Sequence, residues 1–124
     1  MIVITIIGIL ATMLLPHFGS AQDKAKGAAV KAVMHSLQIS LESYCLEESS
    51  YPAGSQLTVA DLYPILSEND HLTSLPKNPY TNNIYTASDA AGQIYYSYVQ
   101  AENRYTLTGY GLKPDVPLLA ISNL

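Results

Sequence analysis

The chain has 124 residues, enough for one small domain and too few for two of ordinary size. Apolar residues make up 48% and charged residues 13%, a composition typical of globular or membrane-associated chains and unlike that of disordered ones. Six Lys and Arg against ten Asp and Glu give a net charge of −4, which argues against a nucleic-acid partner. Cys45 is the only cysteine, so no intrachain disulfide can form.

Residues 1–15 are uncharged and carry only two polar side chains, Thr5 and Thr12. As a helix they would span about 22 Å, short of the roughly 30 Å hydrocarbon core of a bilayer. Three interpretations compete: a buried core helix, a signal peptide cleaved near residues 19–21, and a membrane anchor whose beginning is missing. We favour the anchor, because a helix that is apolar on every side needs a large protein around it.

The helical pattern continues beyond Pro16, where apolar residues recur on one side in steps of three and four. This stripe consists of Phe18, Ala21, Ala25, Ala28, Ala29, Val33, Leu37, Leu41 and Tyr44 or Cys45. We therefore predict one helix over residues 1–48, kinked at Pro16 because proline lacks an amide donor and clashes with the preceding turn. The all-round apolar half must be buried in lipid or among copies of itself.

That requirement defines a set of candidate assembly residues along the apolar half. They are Ile2, Val3, Ile6, Ile7, Gly8, Leu10, Leu14, Pro16 and Phe18. Two interpretations of Gly8 remain open: it allows a neighbouring helix to approach closely, or it is a glycine that a membrane helix simply tolerates.

The remaining pattern predicts a small β head. Residues 58–61 read as a capping box that opens a short helix or turn, which Pro64 then interrupts. Residues 94–99 and 104–110 are rich in Tyr, Thr and β-branched residues, and the four residues between them suit a hairpin. Residues 118–121 can supply a third strand. The predicted fold is α+β, a long N-terminal helix packed on a small antiparallel sheet.

The predicted domain organisation has two parts. A helical stem covers residues 1–52, divided into a membrane or filament core (1–15) and an amphipathic half (16–49). The head covers residues 53–124 and packs on the second half of the stem. Lys24, Lys26 and Lys31 make the stem mildly basic, whereas the head is acidic. In a filament, this asymmetry could place the head of one subunit near the stem of another.

No catalytic constellation is evident, and we predict neither an enzyme nor a cofactor. His17 and His35 are about 27 Å apart by helical rise, too far to share an ion. From Gly109 onward Asp115 is the only Asp or Glu, with Asp89 further back in the chain, so the C-terminal part offers no cluster of calcium ligands and no metal site is predicted. The ten tyrosines suit core and interface packing; an electron-conducting stack is the less favoured alternative.

Three segments carry a resemblance to a known family. Residues 2–26 (IVITIIGILATMLLPHFGSAQDKAK), the helix exit with Tyr51 and Pro52, and residues 75–80 (LPKNPY) are similar to type IV pilins and to the major pseudopilins of type II secretion. The resemblance covers about half of the chain. It implies a subunit held by a single span in the inner membrane and then drawn into a helical filament, extracellular or periplasmic.

The resemblance also implies partners and a processing pathway. The partners are other copies of the chain, membrane lipid, the filament assembly machinery and a prepilin peptidase that cuts after a leader glycine. Family members have a Phe-Thr-Leu-Ile-Glu-like segment that is not found here, so we expect Met1 to lie about six residues inside the mature helix, a shift that would restore a 20-residue span.

The lysines after the apolar run conflict with an external head by the positive-inside rule. The alternatives are a secretion pseudopilin and, from another class, a signal-anchored or secreted ligand-binding module.

Overall fold

The computed structural model describes residues 1–15 and 18–123. Two helices come first, α1 (Ile2–Leu14) and α2 (Phe18–Glu48), followed by β1 (Leu57–Thr58) and a short helix, α3 (Val59–Ser67). The chain then forms β2 (Ile94–Val99), one 3-10 turn (Gln100–Glu102), β3 (Arg104–Tyr110) and β4 (Pro117–Ser122). The strands form one antiparallel sheet in the order β1-β2-β3-β4, with α2 packed on it. The predicted α+β fold is confirmed.

In the described residues the helical stem consists of two helices, α1 and α2, one on each side of the predicted kink. Their axes make an angle of 48°, and α2 ends at Glu48 as predicted. The predicted kink at Pro16 and the position of His17 lie outside the described residues. Within the described ranges, neither helix alone is long and apolar enough to cross a membrane. The bent pair together has the length and composition that a membrane span requires.

The side of α2 that packs on the sheet differs in part from the predicted stripe. It consists of Gly27, Val30, Met34, Leu37, Ser40 and Leu41. Leu37 and Leu41 were predicted correctly, and Ala29, Val33, Tyr44 and Cys45 are partly buried. Ala21, Ala25 and Ala28 of the predicted stripe are exposed and do not pack on the sheet, and Phe18, which is also a candidate assembly residue, is exposed as well. The first half of α2 has two apolar sides, and Val30 and Met34 bury more apolar area than alanines can.

The core of the head lies between α2, α3 and the inner face of the sheet. Its fully buried side chains are Val30, Met34, Leu37 and Leu41 from α2, Val59, Leu62 and Leu66 from α3, and Ile94, Tyr96, Tyr105 and Leu107 from the sheet. At Gly109 the sheet approaches α2 so closely that an added Cβ would lie 2.3 Å from Met34 Sδ. Only glycine fits this contact without displacing its neighbour.

Two short-range predictions about the head are confirmed and one is wrong. The Thr58 hydroxyl accepts from the Asp61 amide at 3.3 Å while Asp61 Oδ2 accepts from the Thr58 amide at 3.1 Å, which completes the capping box. The hairpin turns between Val99 and Arg104 as predicted. Pro64, however, lies inside α3 and does not end it, because it removes only one backbone donor from a helix that is capped and half-buried.

Candidate assembly surfaces

Helix α1 has no buried side chain and carries most of the predicted assembly residues. Ile2, Val3, Ile6, Ile7, Gly8, Leu10 and Leu14 are all exposed, as is Phe18 at the start of α2, and Pro16 lies outside the described residues. Apart from the two neighbouring residues and the nearby backbone of α1, no heavy atom lies within 4 Å of the position that a Cβ at Gly8 would take, so this position faces open space. Seven of the nine predicted residues therefore lie on one exposed apolar helix, α1.

The apolar surface of this helix is large for a chain of this size. Nine large apolar side chains of α1 are exposed: Ile2, Val3, Ile4, Ile6, Ile7, Ile9, Leu10, Met13 and Leu14. Full burial of one such side chain is worth about 1.5–3 kcal/mol, so burial of the set contributes on the order of 10 kcal/mol or more before the entropy cost of association. A surface this apolar marks a site of contact with lipid or protein.

A second apolar surface, which was not predicted from the sequence, lies beside the first half of α2. We call it the basal groove, a hollow of about 630 Å³ between the first half of α2 and the segment that joins β3 to β4. Its apolar lining consists of Gly27, Ala28, Tyr80, Leu112, Val116 and Leu118, of which Leu112 and Val116 are about 60% exposed. Because these residues are up to 91 positions apart, no local pattern could have revealed the groove.

The rim of the basal groove carries a net positive charge. Lys24, Lys31 and Lys113 line it together with one carboxylate, Asp23. Lys26 stands nearby, with its Nζ 5.8 Å from the centroid of the Tyr80 ring. The groove therefore combines an apolar floor with a basic rim.

A hydrogen-bonded loop holds Tyr80 in the wall of the groove. The Asn78 amide nitrogen donates to Asp89 Oδ2 at 3.0 Å and to the Ala91 carbonyl at 2.7 Å, while Asn78 Oδ1 accepts from the Tyr80 backbone at 3.0 Å. Burial alone would raise the pKa of Asp89, but hydrogen bonds from Asn78 and Thr86 hold it below its ordinary value. Both Asp89 oxygens are thus already accepting hydrogen bonds, which leaves this carboxylate poorly placed as a calcium ligand.

The His and Cys side chains of the described residues lie in separate places. No three His, Cys, Asp or Glu side chains come together there as metal ligands would. His35 is exposed and Cys45 is a free, partly buried thiol. His71 Nδ1 lies 2.9 Å from Ser43 Oγ, and its Nε2 lies 3.2 Å from Glu47 Oε2 without hydrogen-bond geometry. These contacts tie the segment after α3 to the end of α2.

Tyrosines form most of the aromatic core. Tyr51 and Tyr105 meet edge to face with ring centroids 4.7 Å apart, and both hydroxyls donate to the Glu42 carboxylate at 3.0 Å. Burial, followed by the hydrogen bond to Glu42, raises the pKa of Tyr51 to about 12, and the same causes raise that of Tyr105. On the outer face of the sheet, Tyr95 and Tyr110 pack edge to face at 5.8 Å. The expected use of tyrosine in core packing agrees with this arrangement.

Comparisons with known protein families, with curated proteins and with solved structures found no match to this chain.

Proposed function

We propose that this protein is a structural subunit, a pilin, of a type IV pilus-like helical filament. One observation carries the proposal. Helix α1 is uncharged, buries none of its side chains, and is attached to a head whose core is complete without it. A stem of this kind must find its partners in lipid or in other copies of the chain.

The proposal assigns α1 two successive environments. Before assembly it lies in the inner membrane, where α1 and the start of α2 together supply the apolar length. In the filament, α1 of many copies forms the apolar core, and the heads cover the outside. The assembly machinery and a prepilin peptidase are the implied partners. A short filament of a type II secretion system, built from a major pseudopilin, would use the same geometry.

Deletion of residues 1–15 tests this function. Full-length protein in membranes or detergent should form multimers that a lysine-reactive cross-linker captures as a ladder. The truncated chain should keep the circular dichroism and cooperative unfolding of the head but remain monomeric. If the full-length chain forms no multimers in either environment, the filament function is wrong.

The same deletion distinguishes the alternative of a signal-anchored or secreted ligand-binding module. Such a module would bind its ligand through the head, so removal of residues 1–15 would leave ligand binding intact and assembly would play no part. A matched control is Ile39→Lys, which places a charge at an exposed apolar position of α2 and should leave multimer formation unchanged.

A further inference from the structure

The C-terminal end of α2 carries an exposed apolar side chain beside carboxylates, and its charge is opposite to that of the basal groove. At the end of α2, Leu46 is 86% exposed, and Glu47 and Glu48 follow it in the last turn. We call these three residues the acidic knob. The segment after α3 adds two exposed carboxylates, Glu68 and Asp70. His71 in the same segment contacts Ser43 of α2. The knob therefore offers an apolar tip surrounded by negative charge.

The groove and the knob lie on the same helix and cannot meet within one subunit. Ala28, in the groove, and Leu46 are eighteen residues apart, which is five turns of helix. They consequently lie on the same side of α2, about 27 Å apart along its axis. Two different complementary surfaces on one chain make a head-to-tail contact, and such a contact generates a filament when its rotation does not close a ring.

We propose that the acidic knob of one copy docks in the basal groove of the next. This inference rests on the proposed filament function and specifies which surfaces of neighbouring heads meet. Leu46 enters the apolar floor near Leu112 and Val116, while Glu48 faces the lysine rim. Glu47 already lies beside His71, so Glu48 is the freer of the two carboxylates.

Charge arrangement supports a second copy as the occupant. The groove has three rim lysines against Asp23, and the knob has two glutamates and no basic residue. Opposite charges around an apolar contact fix the register of the partners and disfavour groove-to-groove or knob-to-knob pairing, where like charges would meet. The contact should weaken as salt concentration rises, because the rim is exposed to solvent.

Disulfide cross-linking tests the contact in the full-length chain. In a Cys45→Ser background, Ala28→Cys places a thiol in the groove and Leu46→Cys places one on the knob. Membranes holding the double variant should give a disulfide ladder on mild oxidation. The matched control pairs Ala28→Cys with Ile39→Cys, which is also exposed on α2 but is outside the knob, and it should give little disulfide.

The outcomes separate this inference from the function on which it rests. If the lysine-reactive cross-linker still captures multimers but the 28–46 pair gives no more disulfide than the 28–39 pair, the knob does not occupy the groove. If no multimers form at all, the filament function and this contact both fail. With the 28–46 pair, Lys31→Glu should reduce the disulfide yield severalfold, and adding Glu48→Lys should restore it. Failure of that restoration would overturn the proposed charge pairing.

Discussion

Substitution of Gly109 by alanine tests the packing of α2 on the sheet. The new Cβ would lie 2.3 Å from Met34 Sδ, well inside normal contact distance, and 3.4 Å from Met34 Cε, which is an ordinary contact. Met34 is fully buried, so its side chain must shift within the packed core to make room for the new methyl group. Overpacking of this kind costs about 1–3 kcal/mol. For a head of this size, each kcal/mol lowers the Tm by about 4–8 °C.

Thermal unfolding of the full-length chain in detergent, followed by the near-ultraviolet circular dichroism of the buried tyrosines, measures this loss. Met34→Val removes the sulfur atom and leaves a cavity, and it should be destabilising alone. The double variant should lose less stability than the sum of the two single-variant losses, because the new methyl group fills part of that cavity. Strictly additive losses, or an unchanged Tm for Gly109→Ala, would refute the close approach at this position.

Three further predictions concern the polar contacts of the head. Thr58→Ala removes the cap of α3 and should cost about 1 kcal/mol in a urea titration; no loss would contradict the capping role. Glu42→Ala removes the acceptor shared by Tyr51 and Tyr105 and should cost about 1–2 kcal/mol, whereas Tyr51→Phe should cost less. The Tyr51 pKa is raised from 10.0 to about 12 in the folded chain. The protonated Tyr51 hydroxyl should therefore contribute fully to the free energy of unfolding below pH 10.0, and this contribution should be lost as the pH rises through about 12. Since other buried tyrosines also have raised pKa values, the test compares the parent chain with Tyr51→Phe, and an equal fall of the denaturant midpoint in both across this range would contradict the Tyr51 shift.

Strands β2, β3 and β4 and the α3 cap could be predicted from sequence because local chemistry specifies them, whereas the two-residue strand β1 was not predicted. Runs of Tyr, Thr and Ile in β2 and β3 favour strands whatever surrounds them, and the four residues between them limit the connection to a hairpin. The capping box at Thr58 likewise depends only on residues three positions apart. These elements appear at or within a residue or two of their predicted bounds.

The packed side of α2 and the basal groove could not be predicted in the same way. Two sides of α2 have the same helical spacing of apolar residues: one carries alanines and the other carries Val30 and Met34. Only the position of the sheet determines which side is buried. The groove requires Gly27 and Leu118 to lie side by side, with the Leu118 Cδ1 atom 3.5 Å from the Cβ position of the glycine. That contact follows from the tertiary fold.

Solvent protection of α1 in assembled particles tests the central claim most directly. In a Cys45→Ser background, Ile7→Cys places a single thiol in α1, and Thr73→Cys places one on the exposed surface of the head. We predict that a bulky, water-soluble maleimide labels position 73 rapidly in assembled particles and leaves position 7 unlabelled until detergent separates the subunits. Equal labelling of both positions in intact particles would contradict the proposal that α1 forms the filament core.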